Sequence, residues 1–287
     1  MADRGPEVPS LGGQDKRVLR LCARVAHATD VGRKRHNNQD NHLILLLGGS
    51  AISPKGGAIL IGDEDSRLLV AVADGMGGHF GGDMASRLCM ENLAKEIVNQ
   101  FSPSENGQPD LATALQKAVE GAHKSLFAHA QAYVGNLTMG TTLTAALLHG
   151  ACAELAQVGD SRAYLFRRGN LILLTQDQTI GSQLRSRGED PINVDAQIQE
   201  MLVQAVGAQP EIEVMMTATD LEPKDSLLLC SDGLYKVVSP AEIVGTLELE
   251  MGLQEKATRL VTRANEGGGP DNITVILTEI SKVESSS

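Results

Sequence analysis

Apolar residues occur along the chain in two patterns, which predict strands and helices respectively. Short continuous apolar runs lie at residues 43–47 and 68–73, bounded by Gly or Asp, as is typical of strands buried on both faces. The region 141–175 alternates such runs with Gly-containing turns and predicts a meander. Its strands, and two later ones, are predicted at 143–148, 153–157, 163–166, 171–174, 226–230 and 273–280.

Helices are predicted where apolar residues recur every three or four positions, because that spacing puts them on one helical face. Asp110 precedes one such stripe as a candidate N-cap, and Ser239, Pro240 and Glu242 form a capping-box pattern with proline at the first helical position. The stripes comprise Ala85, Cys89, Leu93, Ile97 and Phe101; Leu111, Leu115, Ala118, Ala122 and Leu126; and Leu253, Ala257, Leu260 and Ala264.

The order of these elements predicts the fold class. Strands are followed by a helix pair, a run of strands, a second helix pair and a last strand, and such segregated blocks favour α+β with antiparallel sheets. We expect a central β-sandwich of two sheets flanked by helix pairs on both outer faces, in four layers. A single domain is predicted at 18–281, with disordered ends at 1–17 and 282–287.

Composition and charge indicate the cellular compartment and disfavour some classes of binding partner. The formal net charge of −11 disfavours nonspecific binding to nucleic acid or anionic membrane. No apolar run approaches the roughly 20 residues of a membrane span. The four cysteines are widely spaced, which is typical of a reducing compartment. We therefore expect a cytoplasmic protein that binds neither nucleic acid nor membrane and is a monomer by default.

Candidate chemistry appears where aspartates border the apolar runs. The run 69–73 ends in Asp74-Gly75, where glycine lets the backbone approach a bound group. A single Asp of this kind is also a common turn residue, but repetition favours a shared site for hard cations such as Mg²⁺ or Mn²⁺. The acids that share this placement are Asp40, Asp74, Asp160, Asp232 and Asp271.

Six short motifs, most of which contain one of these acids, follow one another along the chain. They read TDVGRKRHNNQD, VADGMGGH, GTTL, VGDSRAYL, LLCSDGL and GPDNITV. In this order they are similar to the motifs of the metal-dependent type 2C serine/threonine protein phosphatases, most closely the bacterial branch. The resemblance covers about residues 20 to 280, and it implies that the predicted domain is a phosphatase catalytic domain.

The resemblance also implies a metal centre. Asp74, Asp232 and Asp271 would bind one Mn²⁺ or Mg²⁺ ion. Asp74 would bridge to a second ion, which the carbonyl oxygen of Gly75 would also contact. Asp160 and Asp232 would offer a third, weaker site.

Further roles follow from the same resemblance. Asp40 would act through metal-bound water, Arg35 would bind the substrate phosphate, and His79 would protonate the leaving group or orient water at the cleft. Residues 180–204 fall where the family carries a flap over the active site.

The reaction implied is hydrolysis of phosphoserine and phosphothreonine in proteins by a metal-activated bridging water, without a phosphoenzyme intermediate. Such an enzyme would oppose a serine/threonine kinase. The residues leave two other functions open, which are a phosphoprotein-binding scaffold with little activity and a phosphoesterase for small molecules. The full set of acids speaks against the scaffold, because binding alone does not require it.

Overall fold

The computed structural model describes residues 21–48, 58–61, 66–102, 109–133 and 139–283, and within these ranges the side chains of 58–60 and 78–80 are not described. The predicted N-terminal segment 1–17 lies outside the described residues, as do residues 284–287 of the predicted tail. Among the described helices, none combines the length and apolar character that crossing a bilayer requires.

The strands and helices follow the predicted blocks, except that short helices, which were not predicted, lie between the ninth and tenth strands and directly after the eleventh. The strands are β1 (Leu21–Asp30), β2 (Asp40–Leu47), β3 (Ala58–Leu60), β4 (Arg67–Met76), β5 (Gly140–Thr141), β6 (Leu143–His149), β7 (Cys152–Val158), β8 (Arg162–Arg167), β9 (Asn170–Leu173), β10 (Met215–Asp220), β11 (Ser226–Cys230) and β12 (Ile273–Lys282). The helices are α1 (Gly78–Gln100), α2 (Leu111–Tyr133), α3 (Ile180–Ser186), α4 (Ala196–Gln199), α5 (Asp232–Tyr235), α6 (Pro240–Leu247) and α7 (Leu253–Glu266), with a 3-10 turn at Pro191–Asn193.

Two antiparallel sheets form the centre of the molecule. One has the strand order β3-β1-β12-β11-β8-β9, and the other has the order β10-β7-β6-β4-β2, with β5 paired to β4. Strand β4 shows why its sequence is a continuous apolar run. Leu68 and Val70 face the core between the sheets, whereas Leu69 and Ala71 face the core under α1 and α2, so every side chain of the run 68–73 is buried.

The outer faces are covered by helix pairs. The predicted stripe Ala85, Cys89, Leu93 and Ile97 of α1 is buried with α2 against the sheet that contains β4 and β6. Helices α6 and α7 cover the other sheet, where α7 packs on β1 and β12 and α6 contacts β9. The predicted α+β sandwich in four layers, with helix pairs on both outer faces, is therefore confirmed.

The capping residues in the sequence correctly predicted where α2 and α6 begin. The side chain of Ser239 accepts a hydrogen bond from the backbone N–H of Glu242, whose carboxylate accepts from Ser239 in return. Asp110 caps α2 through a 2.9 Å hydrogen bond from the backbone N–H of Thr113. The pattern missed β1 and β10 because neither contains a continuous apolar run.

The acid-bearing ends of several strands lie at the same end of the sandwich. Asp40 begins β2 and is paired with Asp74 near the end of β4. In the other sheet, Cys230 at the end of β11 is paired with Val275 near the start of β12. Asp232 follows β11, Asp271 precedes β12, and Asp160 lies in the turn between β7 and β8.

Candidate metal centre

One carboxylate oxygen of Asp40 accepts a hydrogen bond from the protein, and the other has no hydrogen-bond partner. Its Oδ2 accepts a 2.7 Å hydrogen bond from the hydroxyl of Ser231. Its Oδ1 is buried and has no hydrogen-bond partner. A buried carboxylate oxygen without a partner is costly unless something absent from the protein chain, such as a cation, binds it.

The GTTL motif fixes the backbone at Asp74. The hydroxyl of Thr142 accepts from the N–H of Asp74 at 2.9 Å, and the hydroxyl of Thr141 donates to the carbonyl of Asp74 at 2.9 Å. The next residue, Gly75, admits no side chain, because an added Cβ would lie 2.0 Å from the carbonyl oxygen of Gly82 in α1. Strand β4 and helix α1 thus approach so closely that the Asp-Gly pair is held in one position.

Asp232 and Asp271 are each engaged by a basic side chain. Asp232 begins α5, and its Oδ2 accepts from the ammonium of Lys236 at 2.8 Å, while its Oδ1 is buried without a partner. Asp271 precedes β12, and its Oδ2 accepts from the guanidinium of Arg35 at 2.7 Å. The predicted phosphate-binding arginine therefore lies directly beside one of the predicted metal ligands.

Asn272 organises the loop that carries Arg35, a role that the sequence did not suggest. Its amide nitrogen donates to the carbonyls of Val31 at 2.8 Å and Asn37 at 3.0 Å. Its amide oxygen accepts from the N–H of Gln39 at 2.8 Å. The available signal was the position of Asn272, directly after Asp271 in the Asp-Asn pair.

Asp160 lies in the turn between β7 and β8 and is buried. The hydroxyl of Tyr235 donates to its Oδ2 at 3.3 Å, and the ammonium of Lys236 lies 3.8 Å from the same oxygen. Tyr235 and Lys236 were not among the predicted site residues. The signal for Lys236 was its spacing, since a lysine four residues after Asp232 in a helical turn is placed to contact it.

Burial and mutual repulsion act on the acids of this cluster. Burial raises the pKa of Asp40 to about 7, and the charges of Asp232 and Asp271 add to this shift. Burial likewise raises the pKa of Asp74 well above its usual value, with contributions from the neighbouring acids. The pKa of Asp160 rises to about 6, first through burial and then through Asp232. The carboxylates are thus close enough to disfavour one another's charge, which a bound cation would relieve.

The residues fit a hard divalent cation. Asp40 and Asp232 each present a buried bare oxygen near other carboxylates, and oxygen donors are those that Mg²⁺ and Mn²⁺ prefer. In the described part of the chain, no three His, Cys, Asp or Glu side chains already converge on one point at ligand distances. Instead, Arg35 and Lys236 hold oxygens of Asp271 and Asp232.

His79 lies in the first turn of α1, after Gly77 with its positive φ of 129°. Its side chain lies outside the described part of the structure, so its predicted role stays a prediction. The structure therefore brings together the other predicted residues, which are Arg35, Asp40, Asp74, Gly75, Asp160, Asp232 and Asp271.

Comparison with known proteins gives consistent matches. The family model described as protein phosphatase 2C matches residues 56–272. The serine/threonine phosphatase stp of Listeria innocua serovar 6a is 36% identical over 258 residues, covering 88% of this chain and 93% of that protein. The serine/threonine protein phosphatase PstP of Mycobacterium tuberculosis is 36% identical over 261 residues, covering 91% of this chain and 45% of that protein.

Solved structures match over most of both chains. The crystal structure of the Mycobacterium tuberculosis phosphatase PstP/Ppp superposes with a TM-score of 0.72 at 34% identity, covering 91% of this chain and 99% of that chain. The catalytic domain of PstP in complex with 2 manganese ions superposes with a TM-score of 0.70 at 33% identity, again covering 91% and 99%.

Proposed function

This chain belongs to the protein phosphatase 2C family of serine/threonine protein phosphatases, and we propose that it hydrolyses phosphoserine and phosphothreonine with divalent cations held by the acids at the end of the sandwich. The observation that carries this proposal is the pair of buried carboxylate oxygens without partners, on Asp40 and Asp232. A cation held by Asp232, with a metal-bound water reaching Asp40, would satisfy both oxygens and offset the repulsion within the cluster.

We assign the two core ions to the residues that the motifs predicted. Asp74, Asp232 and Asp271 would hold one ion, and Asp74 with the carbonyl of Gly75 would contact the second. Asp40 would act through a water molecule, which is supported by its bare Oδ1. Manganese is supported by the related PstP structure with 2 manganese ions, and magnesium shares the same preference for oxygen.

When bound, the ions would supply a water molecule of lowered pKa and positive charge near the phosphoryl oxygens. We propose that hydrolysis proceeds without a phosphoenzyme intermediate. Two nucleophilic side chains beside the acids support this, because both are buried. The hydroxyl of Ser231 is buried and engaged with Asp40 and the N–H of Thr274, and the thiol of Cys230 is buried, with a pKa that burial raises far above neutrality.

Arg35 is the proposed phosphate-binding residue. Its side chain is 54% exposed, and its bond to Asp271 uses one nitrogen of a guanidinium that carries several donors. The remaining donors are free of that bond and can reach two oxygens of a phosphoryl group, the geometry that arginine favours. His79, in the first turn of α1, is the proposed proton donor to the leaving serine or threonine oxygen.

The proposed substrates are phosphorylated proteins, so the enzyme would oppose a serine/threonine kinase. We propose a single catalytic domain over 18–281 that acts as a monomer and binds neither nucleic acid nor membrane. A reducing, cytoplasmic compartment is supported by the free state of Cys22, Cys89, Cys152 and Cys230.

The test is hydrolysis of p-nitrophenyl phosphate and of a phosphothreonine peptide, with and without Mn²⁺. We expect Mn²⁺-dependent turnover of both substrates, and a loss of at least about 100-fold in Asp232→Asn. Asp220→Asn is the matched control, because Asp220 is exposed at the far end of β10. Folded protein without turnover would support the scaffold instead, and turnover of p-nitrophenyl phosphate alone would support a small-molecule phosphoesterase.

A further inference from the structure

Lys236 lies between two of the acids rather than in solvent. Its ammonium is 2.8 Å from Oδ2 of Asp232 and 3.8 Å from Oδ2 of Asp160. It also forms an ion pair with Glu200. About two thirds of the side chain is removed from solvent, since its exposed fraction is 33%.

We propose that Lys236 is a resident cation between Asp160 and Asp232, so that its ammonium disfavours a third metal ion at that pair. This inference rests on the proposed function, because it concerns the number of ions that the phosphatase centre holds. It assigns Lys236 as a positioning residue, which acts on metal binding through the two carboxylates and does not touch the substrate.

Asp232 divides its two oxygens between the core ions and Lys236. Its Oδ2 is committed to the ammonium, whereas its Oδ1 is buried and bare. The core ions therefore need only Oδ1, and Lys236 can stay in place while they bind. An ion at Asp160 would instead compete for the oxygens that the ammonium occupies, and the two positive charges would repel each other at short range.

Glu200 is a third carboxylate partner of the ammonium. It follows α4, within residues 180–204, where the resemblance places the flap. The ion pair between Glu200 and Lys236 therefore links this segment directly to the acids. With a third carboxylate as partner, Lys236 has little freedom to leave when a cation approaches.

Asp160 is held in position for Lys236 by an aromatic and ionic stack. The hydroxyl of Tyr235 donates to the backbone carbonyl of Asp160 at 3.1 Å as well as to its Oδ2. The guanidinium of Arg162 lies 3.7 Å from the centre of the Tyr235 ring and forms a two-point pair with Asp177, at 2.9 and 2.6 Å. These contacts fix the carboxylate of Asp160, so that the ammonium of Lys236 lies between it and the carboxylate of Asp232.

The experiment counts Mn²⁺ ions and measures their affinities by isothermal titration calorimetry on the full chain. We compare the native protein with Lys236→Met, which keeps the length of the side chain and removes its charge, and with Lys236→Arg, which keeps the charge. Native protein and Lys236→Arg should bind two Mn²⁺ ions tightly. Their affinity for a third ion should be at least tenfold lower than that of Lys236→Met. Adding Asp160→Asn to Lys236→Met should abolish the third ion.

The outcomes separate this inference from the proposed function. Two tight ions in the native protein with no gain in Lys236→Met would overturn the inference and leave the proposed function standing. No Mn²⁺ binding by any of the folded proteins would overturn both. If Lys236→Met does not fold, Lys236→Gln tests the same point, because it removes the charge and keeps a polar side chain beside Glu200, which is 57% exposed. An unchanged third affinity in Lys236→Gln would then contradict the inference.

Discussion

Asp40 and Asp74 lie directly opposite each other in the antiparallel pair formed by β2 and β4. Opposed residues of such a pair have Cβ atoms about 5 Å apart, and like charges there are destabilising. Burial adds to the cost, because it raises the pKa of both carboxyl groups. The register of the sheet therefore places two carboxylates where they repel each other, and a cation held by Asp74 would reduce that repulsion.

Mn²⁺ should accordingly stabilise the protein against heat. At a concentration 100 times its dissociation constant, an ion that binds only the folded state adds about 2.7 kcal/mol, which is roughly 5–10 °C in melting temperature. Differential scanning calorimetry with Mn²⁺ and with a chelator measures this shift. Asp74→Asn should melt higher than the native protein in chelator and gain less from Mn²⁺. Equal melting with and without Mn²⁺ would contradict the site.

Arg35→Ala should lower kcat/KM for a phosphothreonine peptide by roughly 100-fold, since donors aimed at the phosphoryl oxygens are lost. Arg35→Lys should recover only a small part of this loss, because an ammonium lacks the forked geometry of guanidinium. Lys34→Ala is the matched control, as Lys34 is the exposed neighbour on the same loop. The measurement is steady-state kinetics at saturating Mn²⁺, and full activity in Arg35→Ala would refute the assignment.

Gly75→Ala should destabilise the protein by about 3 kcal/mol, because the added methyl group meets the backbone of Gly82 at 2.0 Å and neither strand nor helix can move freely. Gly245→Ala in α6 is the control, since nothing lies within 4 Å of its added Cβ. That change should stabilise by about 0.5–1 kcal/mol through helix propensity. Urea denaturation compares the two, and a harmless Gly75→Ala would mean that the close approach is not rigid.

The sandwich was predictable because local pattern and burial agree in its central strands. In β4 both faces are covered, so the sequence is an unbroken apolar run, and such runs also located β6 and β11. Strand β1 was missed because the exposed side chains of Arg24 and His27 interrupt its apolar residues. When some of the buried residues of a strand are alanines, as in β1, its sequence shows only a weak apolar pattern.

The acids of the site were predictable for the same local reason, since each borders an apolar run or a recognisable motif. Most of their supporting contacts were not, because the partners are distant in sequence; the contact of Lys236 with Asp232, four residues earlier, is the exception. Asn272 binds the carbonyl of Val31, 241 residues away. Lys236 contacts Glu200 only because the fold brings the end of α4 close to the end of α5. No local pattern of charge or hydrophobicity records such contacts.

The thiols should differ in reactivity according to their burial. Burial raises the pKa of Cys89 to about 12, so its reactive thiolate is scarce at any pH below that value. Cys22 and Cys152 are only partly buried. In native protein at pH 8, alkylation followed by mass spectrometry should modify Cys22 and Cys152 and spare Cys89 and Cys230. Equal modification of Cys89 and Cys152 would contradict the packing of α1.

Asn272→Asp should loosen the loop that carries Arg35. A carboxylate can still accept from the N–H of Gln39, but it cannot donate to the carbonyls of Val31 and Asn37. The two carbonyls are part-buried, so leaving them without a donor costs about 1 kcal/mol, the lower end of the range for buried groups. We expect KM for a phosphopeptide to rise more than kcat falls, because phosphate binding by Arg35 loses its fixed geometry.

Hydrogen exchange separates this effect from general unfolding. The amides of residues 31–37 should exchange faster in Asn272→Asp, while those of β6, in the opposite sheet, should keep their protection. Asn170→Ala is the matched control, because it removes one hydrogen bond in an exposed turn and should change neither KM nor exchange in the loop. Faster exchange throughout the protein would mean that Asn272 stabilises the whole fold. An unchanged KM together with unchanged exchange in residues 31–37 would mean that the loop does not depend on Asn272.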